Sequence, residues 1–455
     1  MKTLPLIAGI ALLAISSVAA HAATYSTEDK KRCFSEDTNN KTITFLYCLD
    51  SGFWSGTVTS CYVRGSFNGW KSVEQCKLTL DAESNCWTVT LPFDYVNQPG
   101  NSGQPEYKFY VNGSYKDAPS WLTNGYKFKN GSNNQIVVFS TDDFEQIKQN
   151  SEQANVIREL SSFNLSSDVD RAVIANFRCV PGTKNLYRSY HPYKATDHKN
   201  NGNLTEYERL HYVKYLAAAN GIRSDICLSE NEEKSLTTYT CNSVKYQEVI
   251  PIYYNRIIAE KNVLYVNAGK GTPSYNEVYY NSTSSTFGAW VKEIVEFIIS
   301  DSHPAPFLIH CRLGTDRTGV FCGVLAALCG ASWEQIAEDY QHSNDMQIRE
   351  FRDYHILAYS FRKILGVEDL SQVDDLSKAM CEYFITKGFL TQTQIDALVQ
   401  KLNADVERIP VQEDMETALQ TISNGTSKVR KIQTPEGLFI DNGQHRFTLL
   451  GELVN

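Results

Sequence analysis

The sequence predicts a multidomain chain: an N-terminal immunoglobulin-like β-sandwich, then an α/β domain, then a short C-terminal β tail. Three observations predict it. Residues 26–142 carry short alternating apolar runs broken by turn signals, with little helical period. Residues 172–402 alternate helical patterns with a few short buried runs. Residues 403–455 end in two short strand patterns around Asp441-Asn442-Gly443, a β-hairpin signal. Two segments remain. Residues 1–22 read as an export leader, and residues 143–171 as a polar, acidic linker with a short helix.

The leader has a positive start at Lys2, an apolar core from Leu4 to Val18, and the small-residue signal Ala20-His21-Ala22 before Ala23. The expected location is therefore periplasmic, cell-surface or secreted. No later apolar run reaches the roughly 18–20 residues that span a bilayer, so no transmembrane segment is expected. A formal net charge of −9 argues against nucleic acid as a partner. Of twelve cysteines, Cys33, Cys48, Cys61, Cys76 and Cys86 fall early, where an oxidising compartment permits disulfides. Spacing alone does not assign their pairing. No Cys-x2-Cys pairs with His occur, so a structural zinc site is not expected; nothing else in the sequence implies a metal or organic cofactor.

In the first domain, Thr42 to Tyr47, Cys61 to Phe67 and Gln135 to Phe139 read as strands. Lys77 to Leu80 and Trp87 to Leu91 form a hairpin across 81–85. Tyr107 to Val111 and Ser114-Tyr115 form another across Asn112-Gly113, the strongest turn signal in the region. In the second domain, Tyr207 to Asn220 is helical and stops at Gly221. Ile222 to Ser229 follows as a strand, and Trp290 to Ile299 is an amphipathic helix. Ser332 caps a helix running through Tyr340, and Thr391 to Gln394 is a capping box for a last helix over Ile395 to Leu402.

One stretch organises the chain. Pro306-Phe307-Leu308-Ile309 reads as a buried strand and Val320 to Leu328 as a buried helix. Between them lies His310-Cys311-Arg312-Leu313-Gly314-Thr315-Asp316-Arg317-Thr318-Gly319. Backbone N–H groups of such a loop, with the N-terminus of the following helix, make a site for a dianion. The loop residues Arg312, Leu313, Gly314, Thr315 and Asp316 would surround it, and Arg317 would grip two of its oxygens. The same positive field would pull the Cys311 thiol below its free value of about 8.5, so that it attacks as thiolate. Thr318 can place a hydroxyl near the sulfur, and His310 is expected to hold the loop.

This loop resembles that of the cysteine-dependent protein tyrosine phosphatase superfamily. Its Asp-Arg-Thr-Gly ending is most similar to the bacterial tyrosine and lipid phosphatase branch, whose loop usually reads HCxAGKDRTG. Here Arg312-Leu313 and Thr315 replace the usual residues, so the loop Lys of that branch is absent. Asn176-Phe177-Arg178, Leu186-Tyr187-Arg188-Ser189 and Glu338 to Ser343 resemble further segments of that branch. The resemblance implies an α/β phosphatase fold over 172–402 and phosphate-monoester hydrolysis through a cysteinyl-phosphate. It implies phosphorylated protein, lipid or small-molecule substrates. It makes Asp316 the first candidate for the general acid, with Asp225 second, because Cys227-Leu228-Ser229 stands where the family usually has Asp-Leu-Arg. Asp197 and His198 lie on a polar loop, and His191 reads as structural.

A second resemblance lies upstream. Gly65-Ser66-Phe67-Asn68-Gly69-Trp70 with Tyr107 to Gly113 is similar to glycogen- and starch-binding carbohydrate modules. That family implies an α-glucan partner held by Trp70, Lys108 and Tyr115, with Asn133 or Asn134 as a polar contact. Aromatic faces on sugar rings with amide and ammonium groups at the rim suit a neutral polymer. The expectation is an exported phosphatase. The alternatives are a phosphoglucan phosphatase targeted by its first module, and a catalytically weak phosphate- or glucan-binding protein.

Overall fold

A computed structural model describes residues 25–49, 56–117, 134–192, 206–230, 239–241, 244–246, 251–418, 430–434, 437–441, 446–448 and 453–454. The leader reading (1–22), Asp197, His198 and Asn133 lie outside the described residues.

The N-terminal β-sheet region opens with helix α1 (Thr27–Arg32), capped reciprocally by Ser26 and Asp29. Strands β1 (Phe34–Asp37), β2 (Thr42–Cys48), β4 (Thr79–Asp81) and β5 (Cys86–Pro92) form an antiparallel sheet in the order β1-β2-β5-β4. Strands β3 (Cys61–Gly65), β6 (Glu106–Val111) and β7 (Ser114–Lys116) form a second, with β8 (Gln135–Ile136) also on β6; the short helix α2 (Phe93–Val96) follows β5. The two sheets share one core, because alternate residues of each strand turn inward. Phe45 of β2 meets Tyr107 of β6 at 4.9 Å, and Tyr47 meets Phe109 at 5.3 Å between ring centres. A disulfide joins Cys48 and Cys86, which are direct partners across β2 and β5.

The stretch read as a linker with a short helix has regular structure at both ends. It holds α3 (Phe144–Gln153) and the start of α4 (Asp168–Ala175). Leu160 and Phe163 are buried in the core of the next domain, and Ile157 pairs with Ile348. The Pro99–Gly103 loop of the first region is also tied down. Tyr280 donates to Pro99 O at 2.9 Å, Tyr275 to Asn101 Oδ1 at 2.7 Å, and the Asp353 N–H to Asn101 O at 2.8 Å.

The second unit is an α/β domain on a mixed five-stranded sheet, in the order β14-β11-β15-β10-β9. Its strands are β9 (Arg178–Cys179), β10 (Leu186–Ser189), β11 (Ser224–Cys227), β14 (Val263–Tyr265) and β15 (Phe307–His310). All neighbours run parallel except β9. Helices cover both faces, as a buried parallel sheet requires. Leu308 faces the core shared with α4, α5 (Glu206–Ala219) and α6 (Ile252–Ala259). Phe307 and Ile309 face the larger core under α8 (Ser285–Ile299), α9 (Asp316–Leu328), α10 (Trp333–Gln341), α11 (Tyr354–Leu365), α12 (Leu376–Thr386) and α13 (Gln392–Asn403). The short α7 (Tyr275–Tyr280) lies beside α9 and α11. Strands β12 (Tyr239–Cys241) and β13 (Val244–Tyr246) pair with each other.

The tail forms more than a hairpin. Strands β16 (Arg430–Thr434), β17 (Gly437–Asp441), β18 (Arg446–Thr448) and β19 (Leu453–Val454) make a four-stranded antiparallel sheet. The Asn442-Gly443 turn itself lies outside the described residues. Among the described residues no helix is long and apolar enough to cross a membrane.

Candidate active site

The site sits where the middle strand of the sheet ends and a thirteen-residue helix begins. Cys311 follows β15 directly. Residues 311–315 make the turn, and Asp316 is the first residue of α9. The N–H groups at the start of α9 have no carbonyl one turn back to bond, so they point into the turn.

The loop is held from behind. His191 N–H donates to Arg312 O at 3.1 Å, Asn176 Nδ2 to Leu313 O at 2.9 Å, and Arg188 Nη2 to Gly314 O at 2.6 Å. In a trans peptide the C=O of one residue and the N–H of the next point opposite ways. Three successive carbonyls held outward therefore turn the N–H groups of Leu313, Gly314 and Thr315 inward, a preformed cradle for an oxyanion. Gly314 has φ +74°, and a β-carbon there would collide with Ser189 O, so the approach of loop to strand requires glycine.

Arg188 is fully buried, and Asp339 neutralises it at 2.5 Å. Arg178 pairs with the same carboxylate at 2.6 Å. Asp339 thus anchors two arginines, one of which grips the loop.

Cys311 is buried. Burial opposes ionisation of its thiol, but the Arg317 guanidinium and the hydroxyl and N–H of Thr318 outweigh it, and its pKa lies below the ordinary thiol value. The Thr318 hydroxyl is buried and has no other hydrogen-bond partner among the described residues. Arg317 is aimed by backbone, donating from Nη1 to Leu228 O at 3.0 Å and to Pro273 O at 3.4 Å.

His310 lies beneath. Its Nε2 is 3.0 Å from Asp225 Oδ2 and its Nδ1 is 3.1 Å from Cys311 O. Burial alone would lower its pKa, but the Asp225 carboxylate overrides that and holds it well above the ordinary imidazole value. The charged ring then donates from both nitrogens. His191, Cys227 and His310 place ligand-type atoms within 4.8 Å of one another. Both His310 nitrogens are already engaged, so this trio does not fit a metal.

Residues 183–404 match the model of the tyrosine phosphatase family. This part of the chain is a tyrosine phosphatase family domain. Its chemistry is that of a phosphoric monoester hydrolase. Among solved structures, the core catalytic domain of the PP-IP phosphatase SIW14 from S. cerevisiae, in complex with citrate, is similar at 19% identity. That likeness covers 39% of this chain and 86% of the other, with a TM-score of 0.23, too low to bear on substrate. No curated protein matches the chain.

Asn176 and Arg178, which help hold the loop, precede the matched residues of the phosphatase domain. The structure brings Cys311, Arg317, Thr318 and the turn residues Leu313, Gly314 and Thr315 together. Arg312 turns its side chain to solvent and lends the turn its backbone.

The two general-acid candidates are both held by neighbouring side chains. Arg352 clamps Asp316 with Nε at 2.6 Å and Nη2 at 3.0 Å, and the Tyr279 hydroxyl donates to it at 3.0 Å. These bonds tie the start of α9 to the segment just before α11. Asp225 is wholly buried and accepts from His310 and from the Tyr254 hydroxyl at 2.9 Å. It supports the base of the loop through His310. Sequence reasoning gave no role to Arg188, Asp339 and Arg352, although two of them lie in segments noted for their resemblance.

Trp70, Lys108 and Tyr115 also come together, around a cavity with Asn134. Lys108 is buried and paired with Asp117 at 2.9 Å, so its ammonium is already neutralised.

Proposed function

We propose that this protein is an exported phosphatase, acting on phosphate monoesters of phosphotyrosine type or on lipid and inositol headgroups through a cysteinyl-phosphate. The observation that carries the reading is the loop with three carbonyls held outward and its thiol lowered by Arg317 and Thr318. The Cys311 thiolate attacks phosphorus, the ester P–O bond breaks, and the leaving oxygen takes up a proton. Water then attacks the same phosphorus, the S–P bond breaks, and thiolate and inorganic phosphate result. Arg317 and the loop N–H groups hold the phosphoryl oxygens in both steps. The leader pattern and the Cys48–Cys86 disulfide support export.

In this reading residues 26–142 are an immunoglobulin-like carbohydrate module and 172–402 the phosphatase. The gathering of Trp70, Lys108 and Tyr115 at one cavity favours a glucan-targeted enzyme within the same proposal.

The test is turnover of a small aryl phosphate under reducing conditions, because an aryl leaving group needs little protonation. Wild type should release phosphate, and Cys311→Ser should fall to the uncatalysed background while keeping the wild-type melting temperature. Equal rates in both would remove Cys311 from the mechanism.

A further inference from the structure

The cavity beside Trp70 is walled by both units. From the N-terminal region come Trp70, Glu106, Lys108, Tyr115 and Asn134; from the phosphatase domain come Tyr275, Asn276, Tyr280 and Arg352. Its volume of about 390 Å³ falls within the range of small-molecule sites.

Three features describe the ligand it suits. The first is a fixed aromatic platform. Trp70 has φ +62°, a costly backbone for a bulky residue, and its carbonyl accepts the Tyr115 hydroxyl at 3.2 Å. Arg64 stacks on Tyr110 and Tyr115, fixing the second ring. The second feature is that the charged groups of the wall are already engaged. Lys108 is paired with Asp117, Arg352 with Asp316 and Glu350, and the Glu106 carboxylate accepts from Ser102 N–H at 2.7 Å and Asn134 Nδ2 at 2.8 Å. An anion would have to break the pairs of Lys108 or Arg352 and face the Glu106 carboxylate, whereas a neutral ligand does neither. The third is the exposed amide of Asn276 at the rim. Flat apolar faces with hydrogen-bonding groups around them, and both wall cations already paired, describe a pyranose ring.

We propose that this cavity is a composite site for a short neutral glucan, to which the phosphatase domain contributes Tyr275, Tyr280 and Asn276. This rests on reading the N-terminal region as a sugar module. It goes beyond it in making the module's site incomplete without the enzyme. Arg352 lies in the cavity wall and holds Asp316 at the start of α9, so the bound sugar rests one side chain from the phosphate loop.

The experiment is calorimetric titration of the full chain with maltoheptaose, cellohexaose and laminarihexaose, one at a time. At least one should bind wild type. Trp70→Ala should abolish that binding. Asn276→Ala, an exposed change, should weaken it about threefold to tenfold, the scale of one hydrogen bond. Tyr280→Phe keeps the ring and should leave the affinity within about twofold, whereas Tyr280→Ala should weaken it by about tenfold or more. Melting temperatures measured alongside identify any variant that fails to fold, and Asn276→Ala then decides. Binding lost in Trp70→Ala but unchanged in Asn276→Ala and Tyr280→Ala would confine the site to the module and overturn the proposal. So would no binding of any of the three sugars. Aryl phosphate turnover by the same samples reports the phosphatase reading separately, since none of these residues belongs to its loop.

Discussion

Arg317→Ala should lower kcat/KM on an aryl phosphate by about 10²–10³-fold, the scale seen when a preorganised oxyanion donor is removed. Arg317 serves two states at once. In the free enzyme its charge lowers the Cys311 thiol. In the transition state its fork holds oxygens on which charge collects. Its Nη1 is tied to Leu228 O and Pro273 O, so the guanidinium arrives already oriented. Arg317→Lys keeps the charge but loses the fork, and should recover little of the rate. Alkylation of Cys311 by iodoacetamide separates the two roles. Both variants should alkylate with a pH midpoint above that of wild type, Arg317→Ala the further. A loss of rate below about tenfold in Arg317→Ala would mean that the phosphoryl group is held elsewhere.

Asp339→Asn should destabilise the protein by about 3–5 kcal/mol, the cost of breaking a buried ion pair from one side. The carboxylate lies between Arg178 and Arg188, and Arg188 is wholly buried. Removing its charge leaves the buried Arg188 and the partly buried Arg178 short of a counter-ion. Denaturant melts measure the loss, and a change under about 1 kcal/mol would contradict the assignment. The same pair sets a pH dependence. Burial would raise the Asp339 pKa, but Arg188 and Arg178 outweigh it and hold it below the usual carboxylate value. Its contribution is therefore complete above the unfolded value of about 3.9 and is lost as pH falls through the lower native value. Wild type should lose this increment in that acid window, and Asp339→Asn should not.

What was legible in the sequence was what is contiguous. The strand, turn and helix from Pro306 to Leu328 are adjacent in the chain, and residue spacing reports them directly. The hairpin at Asn112-Gly113 was legible for the same reason. What was not legible depends on distant partners. Arg188 and Asp339 are 151 positions apart, and only folding shows that one carboxylate serves both Arg178 and Arg188. Asp316 carries no sign in its neighbours that Arg352, 36 positions later, occupies both of its oxygens. The change at Cys227-Leu228-Ser229 looked like a lost side chain, yet it is the Leu228 carbonyl that holds Arg317, and a carbonyl survives any substitution. In 143–171 the polar composition gave no sign that Leu160 and Phe163 would be buried in the next core, because their partners lie far along the chain.

The central claim is that phosphate passes through the Cys311 sulfur. The most direct measurement is an acid quench during turnover of a radiolabelled aryl phosphate, followed by mapping of the labelled peptide. The account predicts acid-stable label on the peptide carrying Cys311, lost in Cys311→Ser. Label on another residue, or label that persists in Cys311→Ser, would contradict it.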